Sequence, residues 1–118
     1  MLNNVVVVGR LVDDVKLEKT ESGKERSYIT LAVPRPYKNV DGEYETDFVD
    51  CVLWNSIASN TAEYCRKGDL IGVKGRIETN TFETESGEKK KATNIVADKI
   101  TFLSSKSSEK TNDDELDM

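Results

Sequence analysis

The chain has 118 residues, no histidine, and a net charge of −5 from 17 basic and 22 acidic side chains. Its length makes it one domain with a real core, too short for two. The missing histidine excludes His-dependent triads, imidazole acid–base chemistry and zinc sites with His ligands. Two cysteines fourteen residues apart, Cys51 and Cys65, cannot build a four-cysteine site either. Both sit in apolar patterns and read as small buried hydrophobes in a reducing compartment rather than as a disulfide. No apolar run has bilayer-spanning length and no signal-peptide pattern opens the chain, so a cytoplasmic protein without a membrane partner is expected. The acidic excess is uneven: residues 104–118 carry a net −3, and the 103 before them only −2. A nearly neutral body leaves room for a local basic groove but forecasts modest attraction for a polyanion.

Taken in order, residues 4–12 contain Val5, Val6, Val7 and Val8, a strand apolar on both faces. Only one face can meet the core of a small domain, which leaves the other for a partner subunit. Gly9 marks a bulge or a corner. Alternation resumes at Val15 and Leu17, as if the same strand continued past a bend, and residues 21–24 form a turn. Residues 27–33 then place Ile29, Leu31 and Val33 on one face and Tyr28, Thr30 and Ala32 on the other. Pro34 and Pro36 end that strand, and residues 37–44 extend it as a hairpin with Asp41-Gly42 at the tip. In residues 46–54, Val49, Cys51 and Leu53 face inward, whereas Phe48, Asp50, Val52 and Trp54 face out. An outward face on a small sheet is expected to be polar. Two large aromatics flanking an acid must therefore cover something: a second sheet, a helix, another subunit or a ligand with flat apolar faces.

Helical signals come once. Asn55 or Ser56 suits the N-cap, and Ile57, Ala58, Thr61, Ala62, Tyr64 and Cys65 make a buried stripe. Arg66 and Lys67 follow as C-terminal cations, with Gly68 as the left-handed capping residue. A strand from residue 70 to 77 points Ile71, Val73 and Ile77 inward and Lys74 and Arg76 outward. A second long hairpin has Ser86-Gly87 at its tip, and Phe82, Lys89, Lys90 and Lys91 on its arms. The last strand spans residues 93–103. Residues 104–118 are read as a disordered acidic tail, leaving 1–103 as the folded domain. Five strands, one helix between the third and fourth, and two extended hairpins describe a mainly β OB-fold barrel. A β-sandwich would want seven strands and no helix.

Singly, each candidate is ordinary: an outward aromatic is more often core or interface, three lysines in a row are more often a solvated loop, and Arg35 between prolines is a rigid turn. Their arrangement says more. Tyr37 lies on one hairpin, Phe48 and Trp54 on the outward face, and Phe82 on the other hairpin. Arg35, Lys38, Lys74, Arg76, Lys89, Lys90 and Lys91 lie around them. Stacking platforms interleaved with cations suit single-stranded nucleic acid, whose bases are exposed and whose phosphates need neutralising. The rival is an OB-fold interaction module with its aromatics buried against another protein. A nuclease using Asp47 and Asp50 comes third, because those carboxylates lie on opposite faces of one strand.

Several separate motifs resemble the bacterial and phage single-stranded DNA-binding proteins: residues 3–11 (Asn-Asn-Val-Val-Val-Val-Gly-Arg-Leu), 30–33 (Thr-Leu-Ala-Val), 46–54 (Thr-Asp-Phe-Val-Asp-Cys-Val-Leu-Trp), 63–68 (Glu-Tyr-Cys-Arg-Lys-Gly) and 73–77 (Val-Lys-Gly-Arg-Ile). The similarity is colinear over residues 1–103. It implies an OB fold, no enzymatic activity, no cofactor or metal, and a homotetramer, with a dimer as the smaller option, around which single strands wrap. By position, the family's stacking aromatics fall on Tyr37, Phe48, Trp54 and Phe82. Arg10 joins the phosphate candidates, with a turn or subunit contact as its alternative. The faces of Val5, Val6, Val7 and Val8 that the barrel does not use would make the oligomer interface. Departures are plain too. Glu78, Asn80 and Thr81 stand where relatives often carry basic residues, which argues against tight, salt-resistant binding. The family's long Gly/Pro/Gln-rich linker is missing, as in a short phage- or plasmid-type member. The tail keeps its acid in Asp113, Asp114, Glu115 and Asp117 but lacks the family's Ile-Pro-Phe ending. Such a tail could compete with phosphate for the groove and dock on recombination or replication proteins.

Overall fold

The computed structural model describes residues 1–105, so the tail acids Asp113, Asp114, Glu115 and Asp117 lie outside the described residues. The elements run β1 Val5–Leu11, β2 Glu18–Lys19, β3 Glu25–Lys38, β4 Tyr44–Trp54, α1 Asn55–Tyr64, β5 Leu70–Glu83 and β6 Lys89–Ser104. The sheet order is β1-β5-β6-β4-β3-β2, and β1 also pairs with β3, which closes five strands into a barrel. Neighbours are antiparallel except β4 and β6, which run parallel through Cys51↔Ile95 and Val52↔Val96. This is the expected OB barrel, with the helix between its third and fourth long strands.

The inward residues of the alternating strands fill the barrel. Leu31, Cys51, Leu53 and Ile71 have no exposed surface, and Leu11, Ile29, Val73, Ile95 and Ala97 join them. Val5 and Val7 pack against this core while Val6 and Val8 stay exposed, so the valine run is two-faced as expected. Gly9 lies where β1 passes from β5 to β3, and a Cβ there would sit 2.8 Å from the Ala32 carbonyl oxygen. Close approach at the barrel corner, rather than a register shift in β1, explains this glycine. Both cysteines are free and buried, and burial pushes the Cys51 thiol up to about 12.

Several local expectations are corrected. The strand of Val15 and Leu17 does not continue from β1, because residues 12–17 are irregular. Only Glu18 and Lys19 pair with β3. The helix is capped by the extended Trp54 with no side-chain hydrogen bond, so neither Asn55 nor Ser56 is the N-cap. Asn55 instead takes a positive φ of 54°, which asparagine tolerates better than most residues. Tyr64 is exposed rather than part of the buried stripe. Cys65, not Gly68, ends the helix. Gly68 has a φ of 91° and donates its N–H to the Leu11 carbonyl, tying the helix exit to β1. Arg66 behaves as expected, donating to the Glu63 and Cys65 carbonyls at 3.0 Å. Ile77 has the inward parity but is 44% exposed, because β5 has by then left the barrel for the hairpin.

Candidate nucleic-acid interface

The site is built from the outward face of the β3-β4-β6-β5 part of the barrel and from the two hairpins that outgrow it. Strand register fixes its rows. One row crosses four strands as Tyr28, Val52, Val96 and Arg76. Another runs Phe48, Ala32 and Arg10. Each row has an aromatic at one end, a small or apolar middle, and an arginine at the other end. Val52 and Val96 are buried despite their outward parity, since the parallel pair shields each from water. Apolar floor between aromatic and guanidinium suits a base with its phosphate.

The aromatic candidates are open to solvent to different degrees. Phe48 is 67% exposed, Tyr37 60% and Phe82 49%, whereas Trp54 is only half-buried. Phe48 and Trp54 share one side of β4, six residues and roughly 20 Å apart at the rise of a strand. Tyr37 lies in the register irregularity between Pro34 and Lys38, outside the regular alternation. Phe82 lies opposite Lys90 across the β5–β6 hairpin, while Lys89 and Lys91 face Glu83 and Thr81. Alternation therefore puts Lys90 beside Phe82 and turns Lys89 and Lys91 to the other side of the ribbon.

The arginines are not bare. Arg35 holds Asp47 at 2.9 Å and Glu45 at 2.6 Å, and the hydrogen bond to Arg35 keeps the Asp47 carboxyl below its usual range. Asp47 precedes Phe48 in the strand, so this ion-pair cluster lies on the side of the ribbon opposite the Phe48 ring. Arg76 remains on the aromatic face and binds Glu78 at 2.8 Å and Asp98 at 3.1 Å. Asp98 reaches it from a bulge in β6: Lys74 pairs with Lys99 but Gly75 pairs with Ala97, leaving Asp98 unpaired in the ladder. A Cβ at Gly75 would lie 2.0 Å from the Val96 carbonyl oxygen, so the bulge requires glycine there. Arg10 donates to the Gly68 carbonyl at 2.9 Å, which supports its reading as a turn contact. Lys38 lies 5.7 Å from the centroid of its cross-strand partner Tyr44. Among the described residues, Lys74, Lys89, Lys90 and Lys91 have no ion-pair partner.

Asp50, unexplained between the two rings, accepts a hydrogen bond from the Thr30 hydroxyl at 2.8 Å across the ladder. The other carboxylate of the nuclease reading, Asp47, is held by Arg35. Among the described residues no group of three or more His, Cys, Asp or Glu side chains is placed to hold a metal ion. A cleft of about 380 Å³ lies between α1 and β6, with Ile57, Tyr64, Ile100 and Phe102 in its lining. Sequence reasoning did not select Arg26, Tyr28, Tyr44 or Asp98. The first two carry a signal that could have found them, the same outward parity on β3 as Thr30 and Ala32. Asp98 carries none, since its place depends on the bulge.

Comparison with known proteins agrees with this geometry. The family model described as "Single-strand binding protein family" matches residues 2–103. The chain is 46% identical over 113 residues to "Single-stranded DNA-binding protein B" of Bacillus subtilis (strain 168), covering 96% of this chain and 100% of that one. It is 46% identical over 106 residues to "Single-stranded DNA-binding protein 3" of Listeria innocua, covering 90% of this chain and 66% of that protein. It is also 45% identical over 105 residues to "Single-stranded DNA-binding protein 1" of Lactococcus lactis, covering 89% and 70%. With its barrel, its outward aromatic rows and a match over nearly all the described residues, the chain belongs to the single-strand binding protein family.

Proposed function

We propose that this protein binds single-stranded DNA without sequence preference, coating and protecting exposed strands in replication, recombination or repair. Bases stack on Tyr37, Phe48, Trp54 and Phe82, each worth about 1–3 kcal/mol. Phosphates are met by Lys74, Lys90 and Arg76 on the aromatic side, with Lys38, Lys89, Lys91, Arg10 and Arg35 around it. The observation that carries the reading is the exposure of Phe48 on an outward strand face that ends in arginines, in a chain of this family. An interaction module offers no reason for that alternation of rings and cations, and family membership disfavours it. Catalysis is not part of the reading, since Asp47 and Asp50 are engaged by Arg35 and Thr30.

Assembly follows from surplus apolar surface. Val6 is 72% exposed, and β1 is paired over Val5, Val6, Val7 and Val8 with β5 alone. Antiparallel pairing of two such strands gives an isologous dimer, and two dimers give the tetramer. Light scattering should return four subunit masses, and a single-subunit mass at micromolar concentration would contradict it. Among the described residues no helix is long and apolar enough to cross a membrane, and the cytoplasm is the proposed location. The acidic tail, residues 104–118, competes with phosphate for the groove and offers a contact for recombination or replication proteins, so deleting residues 107–118 should tighten binding at low salt. The binding function is tested by gel shift with oligothymidine, duplex DNA of equal length, and RNA. Retention of the single strand with no shift of the duplex is expected, and equal affinity for the duplex would contradict base stacking.

A further inference from the structure

One of the rows already described starts at an aromatic that the barrel does not need. Tyr28 points outward from β3 and is 57% exposed. Its cross-strand partner is the buried Val52, two residues from Trp54 and four from Phe48 along β4. A strand of bases lying from Trp54 towards Phe48 must therefore pass Tyr28, in the gap of roughly 20 Å between those two rings. Arg26, opposite Trp54 in the ladder, places its guanidinium carbon 5.1 Å from the Tyr28 centroid and 5.6 Å from that of Trp54. Its Nε donates to Glu18 Oε1 at 2.7 Å. That bond uses one of the five guanidinium donors, and the four on the Nη atoms have no protein partner among the described residues. Glu18 comes from β2, a two-residue strand whose ladder sets it opposite Arg26. The short strand thus holds a carboxylate that fixes the guanidinium beside both rings.

Resting on the single-strand reading above, we propose that Tyr28 and Arg26 form a further nucleotide subsite. A base stacks on the open face of the Tyr28 ring, and an adjacent phosphate is bound by the Arg26 Nη donors. Glu18 is its positioning residue. The Arg26 charge against the other side of the Tyr28 ring supports the platform.

The test is titration of dye-labelled oligothymidine, followed by anisotropy at several salt concentrations, with the full chain and three variants shown to be folded by thermal melting. Tyr28→Thr, a substitution that suits an outward strand position, should weaken binding about 5- to 150-fold. Tyr28→Phe keeps the ring and should stay within about twofold of the parent. Arg26→Gln should make the slope of log affinity against log salt shallower by about 0.7, the signature of one lost phosphate contact. A Tyr28→Thr chain that binds within about twofold of the parent overturns the subsite while leaving the single-strand reading intact, as does an unchanged slope in Arg26→Gln. Failure of the parent itself to bind the oligonucleotide overturns both.

Discussion

The barrel face and the β5–β6 hairpin offer phosphate two different kinds of cation. On the barrel face, Arg26 and Arg76 are each held by one or two carboxylates at 2.7–3.1 Å. On the hairpin, Lys89, Lys90 and Lys91 have no such partner among the described residues. A phosphate reaching Arg76 must displace Glu78 or Asp98, and the freed carboxylate then collects a cation from solution. Exchange of one anion for another costs affinity and flattens the salt response. A phosphate reaching a hairpin lysine releases its counterion with no such return. The two sets therefore divide the work: the carboxylate-held guanidinium groups of the barrel orient bases, and the unpaired lysines supply most of the salt-sensitive attraction.

The largest test separates rings from charges. Replacing Phe48 and Trp54 together by alanine should cost about 2–6 kcal/mol of single-strand affinity, measured by anisotropy with melting curves as the check on folding. Loss of less than about 1 kcal/mol would mean that the barrel face does not stack bases. Next is the joint between the regions. Gly75→Ala must move the Val96 carbonyl, which its Cβ would approach to 2.0 Å. A stability loss of about 1–3 kcal/mol is expected by denaturant unfolding, and the same change should dislodge Asp98 from Arg76.

Two smaller effects test the division of cations directly. Replacing Lys89, Lys90 and Lys91 by alanine should make the log–log salt slope shallower by about 2, at roughly 0.7 per lost phosphate contact, with little change in the fluorescence quench at saturation. A slope shift confined to one lysine would assign the contact to Lys90, the member beside Phe82. Neutralising the clamp with Glu78→Gln and Asp98→Asn should have the opposite sign, tightening binding about two- to fivefold at low salt and steepening the slope. Weaker binding in that double variant would show that the carboxylates only support Arg76 and do not compete with DNA.

Much of this was legible in the chain because one period governs strands. Val49, Cys51 and Leu53 against Phe48 and Trp54 gave both the core and the site from a single nine-residue alternation, and Gly9 gave the corner. What was hidden depends on partners far away in sequence. Val52 is buried because β6 lies parallel beside it, and Arg76 is clamped because a bulge twenty-two residues later presents Asp98. Ile77 has inward parity but lies past the point where the barrel ends, a length that periodicity does not encode. The missed N-cap has a similar cause: β4 passes into α1 at Trp54 itself, with no loop in which a capping side chain could act.

The central claim is that the half-buried indole of Trp54 lies in the path of bound bases. Trp54 is the only tryptophan, so emission excited beyond the absorption of the four tyrosines reports on that ring alone. Titration with oligothymidine should quench the emission to saturation, and added salt should restore it as the strand dissociates. Unchanged emission, together with no gel shift at the same concentrations, would contradict the account.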